Sequence, residues 1–193
     1  ESINTSSILE ISPNNIKIVD PIFVVNQSRT SWTSPLKGGL GINGSYTCTG
    51  AVSAKKGQKY YYITAAHCGS LNTNYTLDGR QIGRVAYRNL AGQSDLAAIE
   101  ITSSLAGHQI LNAVTGPISN VDITAIVQSD VVGTYMCLAG RTQDGPKCGT
   151  LLSRNVSATD DENITLTNLR YTDILSAQGS DSGGPYYHRG SND

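Results

Sequence analysis

A chain of 193 residues with a formal net charge of −1 and only 15% charged residues has neither the basic stripe of a nucleic-acid groove nor the basic face of a membrane-surface binder. Its 38% hydrophobic content supports a true core, and its 20 glycines, set among abundant Ser, Thr and Asn, exclude a helical bundle and a disordered chain in favour of a turn-rich β protein. The length suits one large domain or a tightly fused pair of small barrels.

Residues 1–35 carry no motif and read as an N-terminal extension that packs on the domain, with a floppy tail the equal alternative for residues 1–15. Residues 16–25 form a β-type run broken at Pro21, which favours an edge position. The segment KYYYITA at 59–65 is rich in aromatic and β-branched residues; further runs are LAAIEI at 96–101, ITAIV at 123–127, VVGTYMCL at 131–138 and ITLTNL at 164–169. Turn pairs punctuate them at Gly38-Gly39, Asn43-Gly44, Asp78-Gly79 and Asp144-Gly145. No stretch sustains a period of 3.6 between helix caps, and none repeats, so the expected class is all-β, as a barrel or sandwich. No apolar stretch is long enough to span a membrane and no signal peptide precedes Glu1, which reads as the start of a processed or trimmed chain.

The 4 cysteines, Cys48, Cys68, Cys137 and Cys148, lack a C-x-x-C pair and fit two disulfides better than a zinc site; reduced thiols of a cytosolic protein are the bland alternative. Sequons at Asn4, Asn26, Asn43, Asn74, Asn155 and Asn163 are individually weak in an Asn-rich chain, but together favour a secreted glycoprotein.

Three segments carry chemistry. In YITAAHC (62–68) a β-type run ends in two alanines, then His67 and Cys68; a cysteine bonded elsewhere would hold the imidazole still, as a general base requires. In SDLAAIE (94–100) Asp95 precedes an apolar run and suits a partner for the second imidazole N–H. Asp78 is the competing acid, but Leu77-Asp78-Gly79-Arg80 reads as a hairpin turn. In GSDSGGP (179–185) Ser182 precedes Gly183-Gly184, which free the backbone for unusual angles and let N–H groups converge on one point. His108 and His188 read as surface or core residues. No cofactor is expected, and the histidines and acids do not cluster at metal-ligand spacing; Asp160-Asp161-Glu162 reads as a solvated loop rather than a calcium site.

In the order His, Asp, Ser, these segments resemble the chymotrypsin/trypsin superfamily of serine proteases; subtilisins and α/β-hydrolases place the three residues in other orders. The chain looks most like the streptogrisin and α-lytic protease branch. His67 and Asp95 are only 28 residues apart, and CLAGRTQDGPKCGT (137–150) resembles that branch's Cys-hairpin-Cys-Gly-Thr element. Cys48 precedes His67 at the spacing of a bridge to Cys68, and no Ile-Val-Gly-Gly start is present for a trypsin-style activation salt bridge. The resemblance covers residues 38–188 and implies two perpendicular antiparallel β-barrels, one over 36–120 with His67 and Asp95, the other over 121–193 with Ser182. It implies a secreted, monomeric serine endopeptidase acting on polypeptides through the triad His67, Asp95 and Ser182. The N–H groups of Ser180 and Ser182 would bind the oxyanion, and a pro-segment or a protein inhibitor would be a further partner. Ser176 would lie at the base of the substrate pocket, and an uncharged base argues against a preference for Lys or Arg.

Two departures stand out. Ser180 occupies the leading position of the family's Gly-Asp-Ser-Gly-Gly, and only 11 residues follow Ser182, so that the second barrel is expected to be incomplete at its C-terminus. They motivate the alternative of a protease-like secreted binding protein, or an inactive fragment.

Overall fold

The computed structural model describes residues 10–12, 15–17, 28–113, 120–127, 130–160, 163–175 and 177–188. β1 (Glu10–Ser12) and β2 (Asn15–Lys17) pair antiparallel with Ile11 opposite Ile16. The run expected over 16–25 is therefore a strand at its start, and the rest of it lies outside the described residues.

The first sheet comprises β3 (Gly41–Asn43), β4 (Thr47–Thr49), β5 (Ser53–Lys56), β6 (Lys59–Thr64), β7 (Asn74–Leu77), β8 (Arg80–Ala91) and β9 (Ser94–Ile101), in the seven-stranded order β4-β3-β7-β8-β9-β6-β5. Its pairs are all antiparallel. The β7–β8 hairpin turns at Asp78 (φ 52°) and Gly79 (φ 72°), the left-handed pair that a two-residue loop requires. β6 turns Tyr62 and Thr64 inward, while Lys59 faces out. Leu36, Leu40, Ile42, Tyr75, Leu77 and Ile99 join Tyr62 in the core, each contributing about 1.5–3 kcal/mol by leaving water. Trp32, from the N-terminal extension, packs on this core, with the Arg80 guanidinium 5.1 Å from its ring centre.

The chain then crosses through β10 (Gln109–Leu111) and β11 (Asn120–Asp122), which pair with each other. The second sheet, in the order β14-β13-β12-β15, is built from β12 (Tyr135–Leu138), β13 (Lys147–Thr159), β14 (Thr165–Thr172) and β15 (Tyr186–Tyr187). β12 and β13 set Cys137 opposite Cys148, and the two are bonded. Residues 123–127, expected to be a strand, are not one. β10 is too short to template them, since the last ladder bond is Ile123 N–H to the His108 carbonyl, and Ile126 is 81% exposed. The run expected over 131–138 is a strand only from Tyr135, because Gly133 (φ 95°) makes a turn before it.

Arg29 ties the halves together. The residue is 3% exposed, and its guanidinium donates to the carbonyls of Gly39 (3.2 Å), Leu111 (2.7 Å), Asn112 (3.1 Å) and Gln143 (2.5 Å), the last in the β12–β13 hairpin. Burial draws it below its ordinary pKa, opposed by the charges of Tyr187, Asp181 and Asp144. Through Arg29 the extension thus reaches the hairpin of the second sheet.

Candidate active site

β6 ends at Thr64, and the chain makes a single 3₁₀ turn over Ala66–Cys68. A disulfide from Cys68 to Cys48, in the middle of β4, closes a loop of about 20 residues, a constraint of roughly 3 kcal/mol. Two hydrogen bonds flank His67: Arg88 Nε donates to the Ala66 carbonyl (2.8 Å), and the Tyr75 hydroxyl to the Cys68 carbonyl (2.6 Å). Burial pushes the Tyr75 phenol up to about 12, so it stays a donor.

Asp95 opens β9 beside this turn. Its Oδ1 accepts the N–H groups of Ala66 (2.6 Å) and His67 (3.1 Å), and its Oδ2 lies 2.6 Å from His67 Nδ1. Burial by itself would raise the carboxyl; the His67 hydrogen bond and charge and the two backbone donors outweigh it and hold Asp95 below its ordinary value. The bond to Nδ1 fixes the tautomer in which Nε2 of the neutral ring carries the lone pair.

Ser182 lies in a turn closed by Asp181 N–H to the Gln178 carbonyl (3.0 Å) and Gly184 N–H to the Asp181 carbonyl (2.9 Å). Sequence reasoning assigned no role to Asp181, yet it is 4% exposed and heavily bonded. Its carboxylate accepts from Thr142 N–H (2.9 Å) and Oγ1 (2.8 Å), Gln143 Nε2 (3.1 Å) and Gln178 N–H (3.0 Å). A carboxylate directly before the candidate serine is a signal that the sequence did offer. The Ser182 carbonyl accepts Thr49 N–H (2.9 Å), which docks the turn on the end of β4. Gly183 (φ 86°) admits no side chain, since a Cβ would stand 2.3 Å from Thr64 Oγ1 and 2.5 Å from the Thr49 carbonyl. His67, Asp95, Gly183 and Gly184 thereby line one open cavity of about 290 Å³.

Ser180 stands at φ 80°. Among the described residues, neither its N–H nor that of Ser182 has a hydrogen-bond acceptor. Ser176 lies outside the described residues. Asp78 is remote from His67 in role: it accepts Trp32 N–H (3.1 Å) at the hairpin turn. His108 is exposed, 3.7 Å from Asp122. Asp160 accepts Ile164 N–H (2.8 Å) at the β13–β14 turn; Asp161 and Glu162 are outside the described residues. Cys48, His67 and Cys68 group within 4.8 Å, but both sulfurs are bonded to each other, so neither offers a metal a thiolate.

The chain is 28% identical over 146 residues to Streptogrisin-C of Streptomyces griseus, covering 75% of this chain and 30% of that protein. Among solved structures it is similar to Thermobifida fusca Protease A, with 32% identity and a TM-score of 0.67 over 79% of this chain and 77% of that one. It is similar also to an α-lytic protease homologue, N4, with 26% identity and a TM-score of 0.63 over 78% of each chain. No family model matches. The all-β fold, the two disulfides and these relatives point to the superfamily of chymotrypsin-like, double-barrel serine proteases. The chain belongs to that superfamily, in its streptogrisin and α-lytic branch. It spans less than a third of the length of Streptogrisin-C.

Proposed function

We propose that the protein is a secreted serine endopeptidase in which Ser182 is the nucleophile, His67 the general base and Asp95 its orienting partner. The observation that carries this reading is the His67 Nδ1–Asp95 Oδ2 bond of 2.6 Å, in a cavity shared with Gly183 and Gly184 of the serine turn. In this mechanism Ser182 Oγ bonds to the scissile carbonyl carbon while its proton passes to His67 Nε2. The tetrahedral oxyanion takes hydrogen bonds from the N–H groups of Ser180 and Ser182. As the C–N bond breaks, His67 gives the proton to the leaving amine, and water repeats the sequence on the acyl-enzyme. Asp95 stabilises the imidazolium and does not itself take the proton.

The domain division that suits this reading is an extension over 1–35, a first barrel over 36–120 and a second over 121–193. The Cys48–Cys68 and Cys137–Cys148 bridges support an oxidising, extracellular setting, and no helix among the described residues is long and apolar enough to cross a membrane. The alternative of a silent binding protein, with an intact fold and no covalent labelling, is motivated by a serine at position 180 that could flip the oxyanion peptide away. Ser180 instead takes the left-handed conformation expected of a glycine there, which favours the enzyme.

The test is hydrolysis of a panel of peptide anilides differing in the residue before the scissile bond. Wild-type chain is expected to cleave at least one member, with His67→Ala slower by several orders of magnitude. Cleavage that survives His67→Ala unchanged contradicts the assignment.

A further inference from the structure

Thr49 is fully buried at the end of β4, outside the triad, and each of its polar atoms is engaged. Its N–H donates to the Ser182 carbonyl (2.9 Å), and its carbonyl accepts the Thr64 hydroxyl (2.8 Å). Its own hydroxyl lies 2.7 Å from the Ser180 carbonyl and 3.0 Å from the Arg141 amide nitrogen. An amide N–H can only donate and a carbonyl can only accept, so the direction of this chain is fixed: Arg141 N–H to Thr49 Oγ1, and Thr49 Oγ1–H to the Ser180 carbonyl.

A residue other than Gly is held at a positive φ only where its surroundings over-determine it. Ser180 is such a residue, at φ 80°. Among the described residues, the side chain that donates to its carbonyl is that of Thr49. The same residue, through its N–H, grips the carbonyl of Ser182. We infer that Thr49 is a positioning residue for the oxyanion donors: by holding the carbonyls of Ser180 and Ser182 on the β4 side, it pins the peptide that follows each of them, and so restrains the backbone of the turn on which the adjoining peptides carry the N–H groups of Ser180 and Ser182 toward the reacting oxygen. This rests on the protease reading above. It assigns to a hydroxyl of the first sheet a part in assembling the oxyanion site that the second sheet's turn carries.

The backbone half of the grip survives any side-chain change, so the hydroxyl is the testable part. Thr49→Ser keeps it, whereas Thr49→Ala removes it. Thr49→Val removes it while nearly keeping the volume, and serves where Thr49→Ala does not fold. Each variant, and a Thr49→Ala/Ser180→Gly double variant, is compared with wild type for kcat and KM on the cleaved anilide, for the rate of phosphonylation of Ser182 by a fluorophosphonate, and for Tm. Loss of one oxyanion donor costs about a hundredfold or more, and a mis-set donor part of that. The hydroxyl-free variants are therefore expected to lose about tenfold to a hundredfold in kcat and in phosphonylation rate, with KM within about twofold. Thr49→Ser is expected to stay within about threefold of wild type, and the double variant to recover rate, because Gly holds a positive φ without a clamp. Hydroxyl-free variants that match wild type overturn the proposal, as does an equal loss in Thr49→Ser and Thr49→Ala. A wild-type chain that neither cleaves nor takes the label overturns the protease reading and this proposal with it. A labelled wild type with unaffected variants overturns this proposal alone.

Discussion

At the scale of single residues, the site works by forcing polar groups into positions that they would not choose alone. Ser180 at φ 80° carries a strain of about 1–2 kcal/mol that Gly would not. Ser180→Gly is expected to stabilise the fold by about 1 kcal/mol in urea unfolding, the gain being trimmed by the greater chain entropy of Gly. A destabilised variant would mean that the serine side chain makes a compensating contact. Asp95 behaves in the opposite sense. Its folded pKa lies below the ordinary carboxylate value of about 3.9, so its contribution to stability is fully present above that value. The contribution is lost as pH falls through the lower folded value. The Tm gap between wild type and Asp95→Asn is therefore expected to be flat above about pH 5 and to close in stronger acid. A gap that widens in acid would contradict the depressed pKa.

At the scale of elements, the histidine turn is held by a covalent tie and the serine turn by hydrogen bonds. Replacing Cys48 and Cys68 by Ala is expected to cost about 3 kcal/mol and to slow labelling of Ser182, because His67 sits inside the tethered 3₁₀ turn. Arg29→Met should cost about 3 kcal/mol in urea unfolding by stranding the carbonyls of Gly39, Leu111, Asn112 and Gln143. A near-neutral result would mean that water replaces the guanidinium. The sequence announced β6 and β9 through aromatic, β-branched and apolar runs, and the β7–β8 turn through Asp78-Gly79. It concealed the two longest strands, β8 and β13, because their exposed positions mix polar residues such as Arg84, Arg154 and Asn155 with apolar Tyr87 and Leu152, and bulges break the alternation, as between Val85 and Tyr87. The apolar run at 123–127 misled for the converse reason: β-type composition makes a strand only where a partner strand extends alongside.

At the scale of the whole molecule, the chemistry depends on a turn of the second half being docked on the first. His67 and Asp95 lie 28 positions apart in a sequence segment that folds into one sheet, so their meeting was legible from the motifs around them. The docking was not. Thr49 lies 131 positions from Ser180, and Arg29 lies 114 from Gln143; neither bears a motif, and only the folded chain brings them together. The same holds for Asp181, whose neighbours Thr142 and Gln143 come from the hairpin that the Cys137–Cys148 bridge closes. On the proposed reading, this assembly makes Ser182 a nucleophile. The most direct test of that reading is intact-protein and peptide mass spectrometry after exposure to a fluorophosphonate, with Ser182→Ala as control. The expected result is a single adduct on Ser182 that is absent from the control. A folded chain that takes no adduct, or takes one equally in Ser182→Ala, would contradict it.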